Sequence, residues 1–229
     1  MKSRRSAHPG LLTRGNIGLA AAELARRDPD LQRILDTLGP PPLWSRPAGF
    51  RTLIQIILEQ QVSLASARAT FTRLQAGVRP FTPARFVALG EARLRSFGVT
   101  RQKAGYCVHL AGALVDGGLD LRALSRMDDA AVAAALTRLK GIGPWSADVY
   151  LLMALRRPDI WPAGDIALAS SVRAVKRLRR RPSPDHLARI ARDWRPFRSV
   201  AARMIWQHYL AERGSLASAS RRSDGSARR

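Results

Sequence analysis

The sequence predicts an all-α protein, and three observations carry that expectation. Phe50, Leu53, Ile54, Ile57 and Leu58 stand at i, i+3, i+4, i+7 and i+8, the stripe of an amphipathic helix. Capping and breaking residues punctuate such stretches: Asp128 suits an N-cap, Pro144 suits a first turn, and Gly98 and Gly117-Gly118 suit stops. No alternating apolar and polar run is long enough for a strand. With 229 residues, the chain can build one large or two small domains around a real hydrophobic core.

Taken in order, Met1 to Asn16 has four basic residues and no acid, and reads as a flexible basic arm. The first strong helix follows at Phe50–Leu58, and Ala65–Leu74 is the next, begun near Ser63. Glu91–Phe97 is a short helix stopped by Gly98, and Lys103–Leu114 a longer one. Asp128 caps a helix running to Arg138. Trp145–Leu155 is apolar nearly all round, as a buried helix must be. Pro158, Pro162 and Gly164 then break the chain into a loop that delivers Asp165. Ile166–Leu178, Pro184–Asp193 and Phe197–Leu210 complete the helices. Residues 214–229, rich in Ser, Ala and Arg, read as a disordered basic tail. No strong internal repeat is visible.

Charge narrows the function. Lys and Arg number 39 against 17 acids, a formal net charge of +22. Such self-repulsion is best explained by a polyanionic partner, although an Arg-rich composition would raise charge everywhere. No segment pairs a basic face with exposed large apolar residues, which argues against a membrane-surface role. The longest apolar run, Val149 to Leu155, is too short to span a bilayer, and no signal peptide is seen. The expectation is a cytoplasmic, nucleoid-associated protein. A single cysteine, Cys107, excludes an internal disulfide and a cysteine-ligated iron–sulfur cluster. Four scattered histidines offer no zinc spacing.

The most informative segment is Leu139-Lys140-Gly141-Ile142-Gly143-Pro144-Trp145-Ser146-Ala147, with Asp165 downstream. A Gly-apolar-Gly turn between two helices can present bare N–H groups to a phosphate, at a helix N-terminus whose dipole favours an anion. Glycine permits the close approach, Ile142 would anchor the turn in the core, and Lys140 can add a phosphate contact. A carboxylate is the wrong charge for gripping DNA, so Asp165 reads as chemistry. It also fits the N-cap of the helix opened by Ile166, and the two roles are compatible. The densest basic run, Lys176 to Arg181, serves either phosphates or a solvated face.

Three blocks together resemble the helix-hairpin-helix DNA glycosylases, and most of all their 3-methyladenine DNA glycosylase II branch. They are Ile56-Ile57-Leu58-Glu59-Gln60-Gln61-Val62-Ser63, the hairpin from Leu139 to Ala147, and Trp194-Arg195-Pro196-Phe197-Arg198-Ser199 ending at Trp206. The resemblance implies a two-lobed helical fold with the active cleft between lobes. One lobe would combine residues 17–48 with 163–213; the other, 49–162, would hold the hairpin. It implies excision of alkylated purines such as 3-methyladenine and 7-methylguanine, with deaminated bases and ethenoadenine as further candidates.

The resemblance also assigns roles. Asp165 matches the catalytic acid, which would stabilise positive charge on the sugar as the glycosidic bond breaks. Trp145 occupies the position where the strand-cleaving branch has a Lys nucleophile, so a water-using, monofunctional enzyme is expected. Trp145, Val149 and Trp206 match base-pocket positions, where an aromatic ring can stack on a cationic lesion. Gln61 matches the wedge that fills the gap left by the extruded nucleotide, with Gln60 supporting it. No cofactor is required, but the carbonyls of Thr137, Leu139 and Ile142 match a site for Na+ or K+ when DNA is bound. The expected partner is double-stranded DNA containing damaged bases, and the expected state is a monomer. Two other readings stay open: a non-catalytic DNA-binding protein on the same hairpin, and a glycosylase for another damaged base.

Overall fold

A computed structural model describes residues 10–226, with side chains through Gly214. The described residues form helices and no strands: α1 (Ile17–Arg27), α2 (Pro29–Leu38), α3 (Phe50–Glu59), α4 (Leu64–Gly77), α5 (Pro83–Arg95), α6 (Arg101–Val115), α7 (Asp129–Thr137), α8 (Pro144–Met153), α9 (Ile166–Val175), α10 (Pro184–Ile190) and α11 (Arg198–Ser226). Single 3-10 turns lie at Ala123–Arg126 and Ala191–Trp194. The chain divides into two units, residues 1–44 with 157–229, and residues 45–156. No described helix is long and apolar enough to cross a membrane.

In the unit of residues 45–156, α3 packs on α4, α6 and α8, while α5 packs on α6 and α7 on α8. The predicted stripe of α3 is its buried face: Phe50, Leu53, Ile54, Ile57 and Leu58 are all in the core. Local caps start the helices. Ser63, Thr82, Thr100 and Asp128 each accept a hydrogen bond from a first-turn amide with a side-chain oxygen. Pro83 and Pro144 occupy first-turn positions, where a missing N–H costs nothing. The short helix expected at Glu91–Phe97 is the second half of α5, which begins at Pro83 and is interrupted at Gly90 (φ 65°).

In the other unit, α11 packs against α1, α2 and α9. Its interior holds a polar node. Asp28 caps α2, accepts the Trp194 indole N–H at 2.7 Å, and pairs with Lys176 at 2.7 Å. Burial opposes ionisation of Asp28, but the Lys176 and Trp194 hydrogen bonds and the Lys176 charge outweigh it, holding the carboxyl below its usual range. Lys176, the first residue of the basic run, is thus turned inward rather than toward a phosphate.

Two expectations about the ends are corrected. The basic arm was expected to reach Asn16, yet Leu12 is 1% exposed and Thr13 and Asn16 cap each other at 2.7 and 3.2 Å. One leucine has no periodicity to read, but burying it is worth about 1.5–3 kcal/mol, enough to order a short lead-in. Residues 1–9 lie outside the described part. At the other end, α11 continues through Gly214 to Ser226, where a disordered tail was expected. The segment has no proline, and Ala, Leu and Arg are good helix formers, so Gly214 and Gly225 do not end the helix. Residues 227–229 are outside the described part.

Candidate active site and nucleic-acid interface

The hairpin lies wholly in the unit of residues 45–156. Helix α7 ends at Thr137, and the chain tightens through Leu139 N–H to Leu136 carbonyl and Ile142 N–H to Leu139 carbonyl, both 3.0 Å. Gly141 takes φ 91°, and a Cβ there would lie 2.1 Å from Tyr106 Cγ. A side chain is therefore excluded twice, by backbone conformation and by the ring beneath it. Ile142 is 3% exposed and pins the turn to the core, as expected. Gly143 is the N-cap of α8 and supplies no capping side chain, leaving the start of α8 open on that side. Lys140 is exposed beside the turn.

The Gln60-Gln61 step follows α3 in the same unit. Gln60 reaches across to the hairpin: its Nε2 donates to the Gly141 carbonyl at 2.8 Å and to Ser146 Oγ at 2.9 Å. Gln61 is exposed and holds φ 55°, a left-handed conformation uncommon for glutamine. Trp145 is partly exposed in the first turn of α8. Val149, one turn on, is 3% exposed and packs inside its own unit. Cys107 is buried, and burial pushes its thiol up to about 12 despite the nearby Lys103 charge, which makes it a poor nucleophile.

Asp165 belongs to the other unit. It is the N-cap of α9, with Oδ1 accepting the Leu168 N–H at 2.8 Å. The same oxygen accepts the indole N–H of Trp206, from α11, at 3.2 Å. Asp165 and Trp206 are each 9% exposed. The aromatic residue expected to wall a base pocket therefore also orients the expected catalytic acid.

The loop before Asp165 is fastened to the start of α11. Ser199 Oγ accepts the Ile160 N–H at 2.9 Å and donates to the Ile160 carbonyl at 3.2 Å, while Ser199 N–H reaches the Pro158 carbonyl at 3.0 Å. Arg198 pairs with Asp159 at 2.8 Å, and Trp161 packs on Trp194 at 5.1 Å between ring centroids. The Trp194 to Ser199 block thus holds the loop that carries Asp165.

Sequence reasoning did not single out Lys103, Tyr106, Ser146 or Ser199 for the site. Lys103 had one readable signal. It lies at helical spacing from Cys107 and Leu110, two buried positions of α6, which is an unusual place for a lysine.

The chain matches the model of the HhH-GPD superfamily of base excision DNA repair proteins over residues 54–196, more than half its length. It belongs to that family. DNA-3-methyladenine glycosylase 1 of Schizosaccharomyces pombe is 25% identical over 196 residues, covering 82% of this chain and 86% of the relative. DNA-3-methyladenine glycosylase of Bacillus subtilis is 28% identical over 123 residues, covering 54% of this chain and 41% of the relative. The chain spans 58% of the length of another Bacillus subtilis relative. The solved Schizosaccharomyces pombe 3-methyladenine DNA glycosylase, in complex with abasic DNA, has a TM-score of 0.78 at 24% identity, covering 82% of this chain and 95% of that one. The all-helical architecture of this family member is accordingly the family's fold.

Proposed function

We propose that this chain is a monofunctional DNA glycosylase of base excision repair. It binds duplex DNA as a monomer, extrudes an N-alkylated purine such as 3-methyladenine or 7-methylguanine, and hydrolyses the N-glycosidic bond. The observation that carries the reading is Asp165, a buried acid held by Leu168 and Trp206 in a chain of net charge +22. The names of the Schizosaccharomyces pombe and Bacillus subtilis relatives, and the abasic DNA in the solved structure, support DNA carrying a damaged base as the partner.

The chemistry follows from the residues. Alkylation of a ring nitrogen leaves the purine cationic, so it departs as a neutral base with the electrons of the C1′–N bond. The sugar is left positive at C1′. The Asp165 carboxylate stabilises that charge, and water adds to C1′ and gives up a proton. The open N-terminus of α8 and the Gly141 to Gly143 turn grip a backbone phosphate, assisted by Lys140. Trp145 carries no amine, so no Schiff base forms at that position. Its ring stacks on the electron-poor base, while the Trp206 indole holds the Asp165 carboxylate. Gln61 fills the gap in the stack, and Gln60 holds it in register.

The hairpin carbonyls also suit a monovalent cation. Thr137 ends α7, so its carbonyl has no amide partner within the helix, and the Leu139 carbonyl accepts the Ile142 N–H and no other donor among the described residues. With Ile142 they form a set of neutral, hard oxygens that would hold Na+ or K+ and add positive charge beside the phosphate. Release of 3-methyladenine and 7-methylguanine from methylated duplex DNA tests the proposal. Tight DNA binding without base release would make the protein a non-catalytic hairpin module. Release confined to another lesion would move the substrate class.

A further inference from the structure

Gln61 stands in a left-handed conformation, and for a residue with a β-carbon this persists only where neighbours enforce it. The enforcement comes from α6. Lys103 Nζ donates to the Leu58 carbonyl at 2.8 Å and to the Gln60 carbonyl at 2.7 Å. The ammonium therefore spans the C-terminal end of α3, where its charge also suits the helix dipole. Among the described residues no carboxylate pairs with it; Glu59, the acid next in the chain, is engaged with Arg46 at 2.9 Å. Among the described residues the hydrogen-bond partners of Lys103 are these two backbone carbonyls, and burial lowers its pKa.

One turn further along α6, the Tyr106 ring lies directly under Gly141. The Gln60 side chain closes the circuit by donating to the Gly141 carbonyl and Ser146 Oγ. On the far side, Ser63 caps α4 by accepting the Ser66 N–H at 3.2 Å. The segment from Gln60 to Ser63 is thus held at both ends, with Gln61 and Val62 exposed between.

We propose that Lys103 is a positioning residue that presets the Gln61 wedge. Helix α6 serves as a common backing for the wedge turn and the phosphate-gripping hairpin. This rests on the reading of Gln61 as a wedge in a glycosylase. Lys103 touches neither the lesion nor the reacting sugar in this account; it acts through the backbone of Gln60. An ammonium serves where an apolar residue would not, because it satisfies two carbonyls at the C-terminal end of α3 at once.

The test is single-turnover excision by Lys103→Met on two duplexes, one with the lesion paired and one with it opposite an abasic site. The wedge competes with pairing and stacking of the extruded nucleotide, so it matters most on the paired substrate. Excision from the paired duplex should fall about tenfold, and from the unpaired one by less than about twofold. In the Gln61→Ala background, Lys103→Met should add little further loss, because both act at one step. Lys103→Arg, which keeps a cationic donor, should recover most of the rate. Equal losses on both duplexes, additive losses with Gln61→Ala, or no loss at all would overturn the assignment. If Lys103→Met does not fold, Lys103→Gln provides the same comparison. Absence of base release by the wild-type protein would instead defeat the glycosylase reading on which the proposal rests.

Discussion

Asp165→Asn separates the proposed chemistry from architecture, because the substitution affects the two unequally. As an N-cap Asp165 accepts the Leu168 N–H at 2.8 Å, and it also accepts the Trp206 indole N–H at 3.2 Å. An asparagine oxygen can accept both. What disappears is the charge. Near a helix N-terminus that costs about 0.3–1 kcal/mol of stability. For a chain of this size it amounts to a melting shift of about 1–4 °C. The catalytic loss is larger. At 9% exposure an effective dielectric well below that of water applies. A carboxylate about 4 Å from a sugar cation at a dielectric near 20 is then worth roughly 4 kcal/mol. Allowing the asparagine dipole to recover part of this, excision should slow by at least about a hundredfold. The assay is single-turnover release of 7-methylguanine from methylated duplex at saturating enzyme, with DNA affinity measured beside it. Asp165→Ala is the contrast. It removes the cap, worth about 1 kcal/mol, and leaves the buried Trp206 N–H without its acceptor, a further cost of about 1–3 kcal/mol. A folded Asp165→Asn protein that excises at near-normal rate would refute the argument.

Gly141→Ala should weaken DNA binding and destabilise the protein, since its methyl would meet Tyr106 Cγ at 2.1 Å from a backbone at φ 91°; melting and duplex titration both read this, and unchanged binding would remove the hairpin from the phosphate grip. Borohydride added during turnover should trap no covalent protein–DNA adduct, and product strands should keep an intact abasic site until alkali cuts them, because Trp145 carries no amine; a robust adduct at neutral pH would end the monofunctional reading. The Asp28–Lys176 pair should make stability depend on pH at both ends. The lowered folded pKa of Asp28 stabilises above its unfolded value near ~3.9, and this is lost as pH falls through the folded value. Burial opposes the Lys176 charge, but the Asp28 and Asp30 hydrogen bonds raise its folded pKa overall; that contribution is complete below an unfolded value near ~10.4 and is lost as pH rises through the folded one. Melting curves of Asp28→Asn should therefore lose their acid dependence relative to wild type, and an unchanged acid limb would assign it to other carboxylates.

What was legible in the sequence is what physics writes locally. The stripe from Phe50 to Leu58 marks a buried face because helical period and burial coincide. Asp128 and Asp165 could be read as caps because a cap's donor lies only three residues away. The Gly141 to Gly143 turn is legible because few residues tolerate its backbone. Distance along the chain hid the rest. Lys103 meets Leu58 and Gln60 across 45 and 43 residues, Trp206 meets Asp165 across 41, and Trp194 meets Asp28 across 166. No spacing rule reaches so far. Gly90 and Gly214 show a second limit: one interrupts a helix and the other is absorbed by one, so a glycine by itself does not mark a helix end.

The division of labour among the three sequence blocks follows from these long contacts. Gln60 binds the first block to the second within one unit, joining the wedge turn to the hairpin. In the other unit, Ser199 and Arg198 of the third block hold the loop ahead of Asp165, and Trp206 holds Asp165 itself. A perturbation should therefore sort by unit. On the proposed function, changes at Lys103, Gln60 or Tyr106 should alter DNA grip and extrusion, and should depend on whether the lesion is paired. Changes at Ser199 or Trp206 should alter the proposed bond-breaking step and should not depend on pairing. Trp161 and Trp194 lie behind that second set, so Trp194→Phe, which removes the N–H donated to Asp28 and shrinks a buried ring packed on Trp161, should alter stability before it alters excision.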